Sequence, residues 1–272
     1  MDRRDFVTST LAAGGTWLSA GSDAFQSGPT SRPPERAGEY YELRRYRLRR
    51  GPGQMLTDTY LRTAAVPAWQ RAGAGPIGVF NVTIGPNSPS FYVLLVHKSL
   101  DAFVTLPERL AADSEYEKAA APYLGTEAAS PAFVRMDASL MRSFDAIPKL
   151  ELPFGGGENG RRPRIFELRT YESHSEKAAK KKIEMFNRGE IAIFRRAGLT
   201  PVFFGETLIG ADMPNLTYML VYEDMAARDK QWSAFGADPE WKKLSTTPGY
   251  TDPEIVSSIS NTYLRPTAYS QI

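Results

Sequence analysis

The chain has 272 residues, 42% of them apolar, 11% aromatic and 24% charged, with 33 Lys+Arg against 31 Asp+Glu, two His and no Cys. At roughly 150 residues per domain, that is one large or two small domains with a core that needs no cross-links. The lack of Cys excludes disulfides, zinc–thiolate and iron–sulfur centres and cysteine nucleophiles, two His leave little room for a multi-His metal centre, and a formal charge of +2 offers no basic face for nucleic acid.

Residues 1–24 read as an address rather than as fold. Arg3 and Arg4 precede a weakly apolar, uncharged stretch, Val7–Ala20, and Ser22-Asp23-Ala24 fits a signal-peptidase site. The stretch falls short of the ~20 residues of a membrane span, so no stable span is expected. An Arg pair before such a stretch resembles a bacterial twin-arginine signal, which implies an exported, periplasmic or secreted protein. Residues 25–39 are rich in Pro, Gly and Ser and read as a spacer.

The remainder repeats itself at an offset of 125 positions. Glu42-Leu43-Arg44-Arg45-Tyr46 returns as Glu167-Leu168-Arg169-Thr170-Tyr171, Arg71-Ala72-Gly73 as Arg196-Ala197-Gly198, Ile84-Gly85 as Ile209-Gly210, and Asp113-x-Glu115 as Asp238-x-Glu240. The expected units are 40–145 and 165–266, joined by a linker at 146–164 that holds Gly155-Gly156-Gly157; no Lys-Ser/Thr follows that run, which argues against a phosphate loop.

Each unit shows one order of elements. A strand (40–47; 165–171) leads into a long helical stretch ending at Ala-Gly, where Gly73 and Gly198 occupy helix C-cap positions. Pro67 should interrupt the first of these helices. In the second, Ile183, Phe186, Ile191 and Phe194 recur at helical spacing, with Lys180–Lys182 expected outward. Strands at 78–84 and 91–97, and at 202–209 and 216–222, should pair as hairpins. A second helix begins near Leu100 and near Met225. Asp113 and Asp238 then cap short helices, and strands at 139–144 and 256–264 close the units. The order βαββαβ is the ferredoxin-like split βαβ, an α+β fold.

Glu-Leu-Arg-x-Tyr, the helix ending in Ala-Gly, Ile-Gly at the hairpin and Ala-Asp-Pro-Glu-Trp together resemble the NIPSNAP family over about residues 40–265, the second unit more closely than the first. The resemblance implies the dimeric α+β barrel, formed here within one chain by two tandem ferredoxin-like domains. It brings no agreed catalytic residues.

In the first strand of each unit alternate residues share a face, so Glu42, Arg44 and Tyr46, and likewise Glu167, Arg169 and Tyr171, stand opposite Tyr41, Leu43, Phe166 and Leu168. With the apolar set under the helices, the Glu/Arg/Tyr set is expected in the barrel interior. There it either forms self-satisfied ion pairs or lines a polar cavity for an anionic or carbonyl-bearing small molecule, with a Glu or Tyr moving a proton. Asn81 and Glu206 hold equivalent positions on the second strand and are placed near this cavity, as is His97, whose counterpart is Tyr222. A lone His without a second ligand reads more readily as a hydrogen-bonded strand end than as a haem ligand. His174 is expected in solvent, and Phe203, Phe204, Trp232, Phe235 and Trp241 in the packing. No metal and no cofactor is expected. The leading expectation is an exported protein binding a small organic ligand. The alternatives are a cofactor-independent monooxygenase, isomerase or cyclase, and an interaction module assembling into homo-oligomers through sheet edges.

Overall fold

A computed structural model describes residues 38–152 and 164–272. The expected signal peptide, most of the spacer and the Gly155–Gly157 run lie outside the described residues.

The first unit runs β1 (Tyr40–Arg47), α1 (Pro52–Tyr60), a π-helical turn (Leu61–Ala65), α2 (Val66–Arg71), β2 (Ile77–Ile84), β3 (Ser90–His97), α3 (Leu100–Val104), α4 (Leu106–Ala111), α5 (Ser114–Leu124) and β4 (Arg135–Ser143). The second repeats it as β5 (Ile165–Glu172), α6 (Glu176–Met185), a π-helical turn (Phe186–Glu190), α7 (Ile191–Arg196), β6 (Thr200–Ile209), β7 (Asn215–Tyr222), α8 (Met225–Ala237), α9 (Pro239–Ser245), α10 (Asp252–Ile255) and β8 (Ser258–Pro266). The π turns fall at equivalent positions, and the second has Ala192 where the first has Pro67. Proline is therefore not what interrupts the long helix; the turn belongs to both copies. Strand β4 starts four residues earlier than expected because Arg135, Met136 and Asp137 pair with Arg47, Tyr46 and Arg45.

The eight strands close one antiparallel barrel in the order β1-β3-β2-β8-β5-β7-β6-β4. Within each unit the order is the ferredoxin-like one. Each unit's last strand crosses to the other, β8 onto β2 and β4 onto β6. Closure pairs both edges of every strand and leaves no barrel edge among the described residues, so assembly through sheet edges has no template here.

Three local devices recur in both units. Gly73 and Gly198 end the long helices with φ of 83° and 87°, the left-handed region in which a Cβ is penalised. Asp113 and Asp238 cap the helices that follow them, accepting from the backbone N–H of Tyr116 and of Glu240 and Trp241. The arginine of each Arg-Ala-Gly reaches that same motif. Arg71 donates to Asp113 (2.8 Å) and Glu115 (3.1 Å), and Arg196 to Asp238 (2.9 Å) and Glu240 (3.0 Å). Two motifs 42 residues apart thus recur together because they bind each other.

The barrel interior is apolar at the end where β1 and β5 begin. Tyr41, Phe80, Val96, Met141, Phe166, Val202, Phe203, Met219, Val221 and Leu264 form one buried cluster drawn from both units, with Tyr41 against Phe203 and Phe80 against Phe166 at ring distances of 5.0 and 4.9 Å. The segments after β4 and β8 fold back over this end. Glu151 N–H bonds to Val202 C=O and Gln271 N–H to Ile77 C=O, which brings Leu150 and Ile272 against the cluster. Two larger cores lie outside the barrel, under the helices of each unit, and a smaller cluster of Ala178, Met185, Tyr250 and Ile255 lies beside the second.

Candidate functional site

The structure inverts the expected facing of β1 and β5. Tyr41, Leu43, Phe166 and Leu168 point into the barrel. Tyr46 and Tyr171 belong to the cores under the helices, and with them, by alternation, stand Glu42, Arg44, Glu167 and Arg169. The Arg44 guanidinium lies over Trp69 of α2 (5.1 Å) and that of Arg169 over Trp232 of α8 (4.6 Å). The polar set thus sits between sheet and helices. The physical reason is closure: the barrel interior has no helix to supply donors, whereas the helix side does.

In the second unit that supply is complete. Glu167 is fully buried. Its carboxylate accepts from Arg169 (2.9 Å), Arg228 (3.0 Å), Tyr222 (2.9 Å), Trp232 (3.0 Å) and Tyr263 (3.3 Å). Burial pushes the carboxyl pKa up, but Arg228, Arg169 and Trp232 outweigh it and hold the group below its usual range. Arg169 also donates to the Tyr171 hydroxyl (3.0 Å), which accepts from Tyr218 (3.1 Å). The carboxylate is thus saturated with donors, although Arg169 Nε is itself buried without a hydrogen-bond partner.

In the first unit the same carboxylate has lost most of those partners. Tyr222 is replaced by His97, Arg228 by Phe103 and Trp232 by Pro107 at the 125-residue offset, and in strand register Tyr263 is replaced by Leu140. Glu42, 5% exposed, accepts from Arg44 Nε (2.5 Å) and from His97 Nε2 (3.1 Å). Burial again pushes its pKa up, and the bond from His97 with the Arg44 charge brings it below the usual range. His97 is 1% exposed, its ring stands edge-on to Phe103 at 5.5 Å, and its Nδ1 has no hydrogen-bond partner. Trp69 Nε1, in the same core, is also unpartnered. A carboxylate holding Nε2–H leaves the lone pair of a neutral imidazole on Nδ1, the arrangement of an oriented base. Around Arg44 the helix layer is aromatic: Tyr60 stacks on Tyr123 at 3.7 Å and shares a 3.0 Å hydroxyl contact with Tyr116.

The other expected site residues separate from these. Glu206 binds Arg142 (2.6 Å) and Lys180 at the β6–β4 seam. Asn81 is exposed and stands opposite Arg265 at the β2–β8 seam. His174 is exposed, and Phe203, Phe204 and Phe235 are core, as expected. Lys182 is not outward: it is 1% exposed, bound to Glu190 (3.0 Å) and ringed by Tyr171, Phe186 and Trp241. Sequence reasoning missed Arg228, Tyr263 and the Lys182–Glu190 pair; the spacing of Arg228 and Trp232, one helical turn apart, was the available signal. Among the described residues no group of three or more His, Asp or Glu side chains could hold a metal ion, and no helix is long and apolar enough to cross a membrane.

No curated protein matches the chain. Among solved structures it resembles a NIPSNAP-like domain protein from Burkholderia xenovorans, at 24% identity over 40% of this chain and 90% of that one, with a TM-score of 0.37. It also resembles two monooxygenase-like proteins. One is from Fusobacterium nucleatum, at 9% identity over 85% of this chain and 93% of that one, with a TM-score of 0.53. The other is from Lactobacillus acidophilus, at 10% identity over 84% and 94%, with a TM-score of 0.52. At such identities the last two show the barrel fold alone. The NIPSNAP family model matches twice, over residues 41–143 and 166–271, which are the two halves of the barrel just described. The chain belongs to the NIPSNAP family.

Proposed function

We propose that the first unit binds a small carboxylate- or carbonyl-bearing organic molecule between its sheet and its helices. Arg44 contacts the ligand oxygen, the Tyr60–Tyr116–Tyr123 side supplies an apolar wall, and the Glu42–His97 pair accepts or returns a proton. One observation carries this reading. His97 Nδ1 is buried without a partner, beside a carboxylate with two donors, where the second unit saturates its equivalent. Buried polar atoms are nearly always paired, so an orphan ring nitrogen next to a charged pair is where a ligand atom belongs. The second unit is read as structural because five side chains already fill its carboxylate, Glu167.

The chain's two His make the test direct. In protein labelled with 15N-histidine, His97 is expected in the Nε2–H tautomer, and its Nδ1 signal is expected to shift when a co-purified ligand, detected by native mass spectrometry, is removed. Arg44→Ala should lose that ligand, and Arg169→Ala should lose stability instead. A ligand retained in full by Arg44→Ala sinks the assignment. We further propose export by the twin-arginine route, on the strength of Arg3-Arg4 and the weakly apolar stretch behind them. Loss of N-terminal processing in an Arg3→Lys/Arg4→Lys variant is the expected result, and unchanged processing contradicts it.

A further inference from the structure

A charged cluster lies on the opposite face of β1, beyond Leu43. Arg45 and Arg47 continue the inward-facing row of Tyr41 and Leu43, and they reach the end of the barrel away from the apolar plug. Asp137, opposite Arg45 on β4, accepts from Arg45 Nε (3.1 Å), Arg45 Nη2 (2.9 Å) and Arg47 Nε (2.9 Å), all on one oxygen, Oδ2. Two guanidinium groups thus share one carboxylate; Arg45 is also hydrogen-bonded to Tyr92, opposite it on β3, while both terminal nitrogens of Arg47 lie outside the Asp137 contact. The wall at this level is hydroxylic, with Thr170 and Thr217 bonded to each other across the β5–β7 pair (2.9 Å) and Ser260 opposite Thr170. The charge is lopsided. The positions of Arg45, Arg47 and Asp137 are held in the second unit by Thr170, Glu172 and Ser260. With Arg135, which shares the inward face of β4 with Asp137, the mouth carries three cations against Asp137 and Glu172.

Leu43 and Val82 pack against the barrel core yet are only partly buried, and Ser260 is exposed. A cationic ring above partly exposed apolar side chains fits one ligand chemistry, an anionic head on an apolar body. We propose that the open mouth of the barrel binds an amphipathic carboxylate, its head on Arg45 and Arg47 and its body against Leu43 and Val82. This site is independent of the one between sheet and helices, since Arg44 and Arg45 lie on opposite faces of the same strand.

Octanoate is the probe, titrated by calorimetry into the full chain at constant ionic strength, with inorganic phosphate as a head without a body. Saturable octanoate binding is expected, with phosphate at least about tenfold weaker. Arg45→Gln should weaken octanoate about tenfold by removing a charge-assisted contact, and Leu43→Trp should do the same by filling the body's space. Should Arg45→Gln not fold, as judged by its melting curve, Arg47→Gln removes the second guanidinium. The proposal is overturned if the wild-type chain takes up no octanoate at millimolar concentration, or if phosphate binds equally well. It is also overturned if the arginine and Leu43 variants bind octanoate unchanged, or if Arg44→Ala abolishes binding that Arg45→Gln retains.

Discussion

Glu167→Gln should be among the most damaging conservative changes in the chain, and Glu42→Gln should be markedly milder. Glu167 is buried and accepts from five side chains, two of them arginines whose side chains are 11% and 19% exposed. Replacing the carboxylate leaves Arg169 without its ion-pair partner and Arg228 with Asp229 alone (2.9 Å). Breaking a buried ion pair by removing one partner costs about 3–5 kcal/mol, and Gln keeps the shape and one acceptor, which places the loss near ~3 kcal/mol. At ~2–4 °C per kcal/mol for a domain of this size, melting should fall by roughly 6–12 °C. Glu42 has two donors, and the loss there should be about half as large. Thermal melts followed by far-UV circular dichroism and urea titrations measure both. The sign of the pH dependence follows from the lowered Glu167 pKa. Its stabilisation is complete above the unfolded-state value near 4.5 and is lost as pH falls through the lower folded value. The gap between wild type and Glu167→Gln should therefore close in acid. Equal costs at positions 42 and 167, or a gap indifferent to acid, would refute the view that the second unit's network is structural and the first unit's is not.

Other expectations rest on separate features. Glu190→Ala should cost about 3 kcal/mol by leaving buried Lys182 with only the more distant Asp252 carboxylate (3.9 Å), while the double change Lys182→Met/Glu190→Leu should be neutral or stabilising; urea titrations of the four-protein cycle decide this. Burial pushes the Glu190 pKa up despite Lys182, so its contribution to stability falls as pH rises above about 4.5, and the double variant should lose that slope. The Asp238 pKa is pulled down to about 2, chiefly by the bond from Arg196. In Arg196→Ala it should return toward ~3.9 in a carboxyl-carbon NMR titration, and an unmoved value contradicts the pairing. Gly198→Ala, at φ 87°, should cost about 1–2 kcal/mol. Gly236→Ala, in α8 with open space around its Cβ position, should gain up to ~1 kcal/mol in the same melts.

Local pattern carried a large part of the fold. The strand–helix order, the Asp113 and Asp238 caps and the glycine helix ends depend on neighbours within a few residues, and they stand in the structure as the sequence reading expected, apart from the earlier start of β4. Lys180–Lys182 shows where that reasoning stops: three identical side chains in a row, of which the phase of α6 turns only Lys182 inward, onto Glu190.

The sequence by itself also determined that Glu42, Arg44 and Tyr46 share one face and Tyr41 and Leu43 the other, because alternation is a property of any extended strand. Which face met the helices was decided only by the tertiary structure. A lone ferredoxin-like sheet is driest under its helices, which favours apolar residues there. Eight strands closed into a barrel make the interior drier still, and Tyr41, Leu43, Phe166 and Leu168 go inside. The helix side can then hold charge, because helices bring donors from far along the chain: Arg228 and Trp232 reach Glu167 from 61 and 65 residues away. Closure treats both carboxylates alike; Glu42 has fewer donors because His97, Phe103, Pro107 and Leu140 stand where the second unit has Tyr222, Arg228, Trp232 and Tyr263.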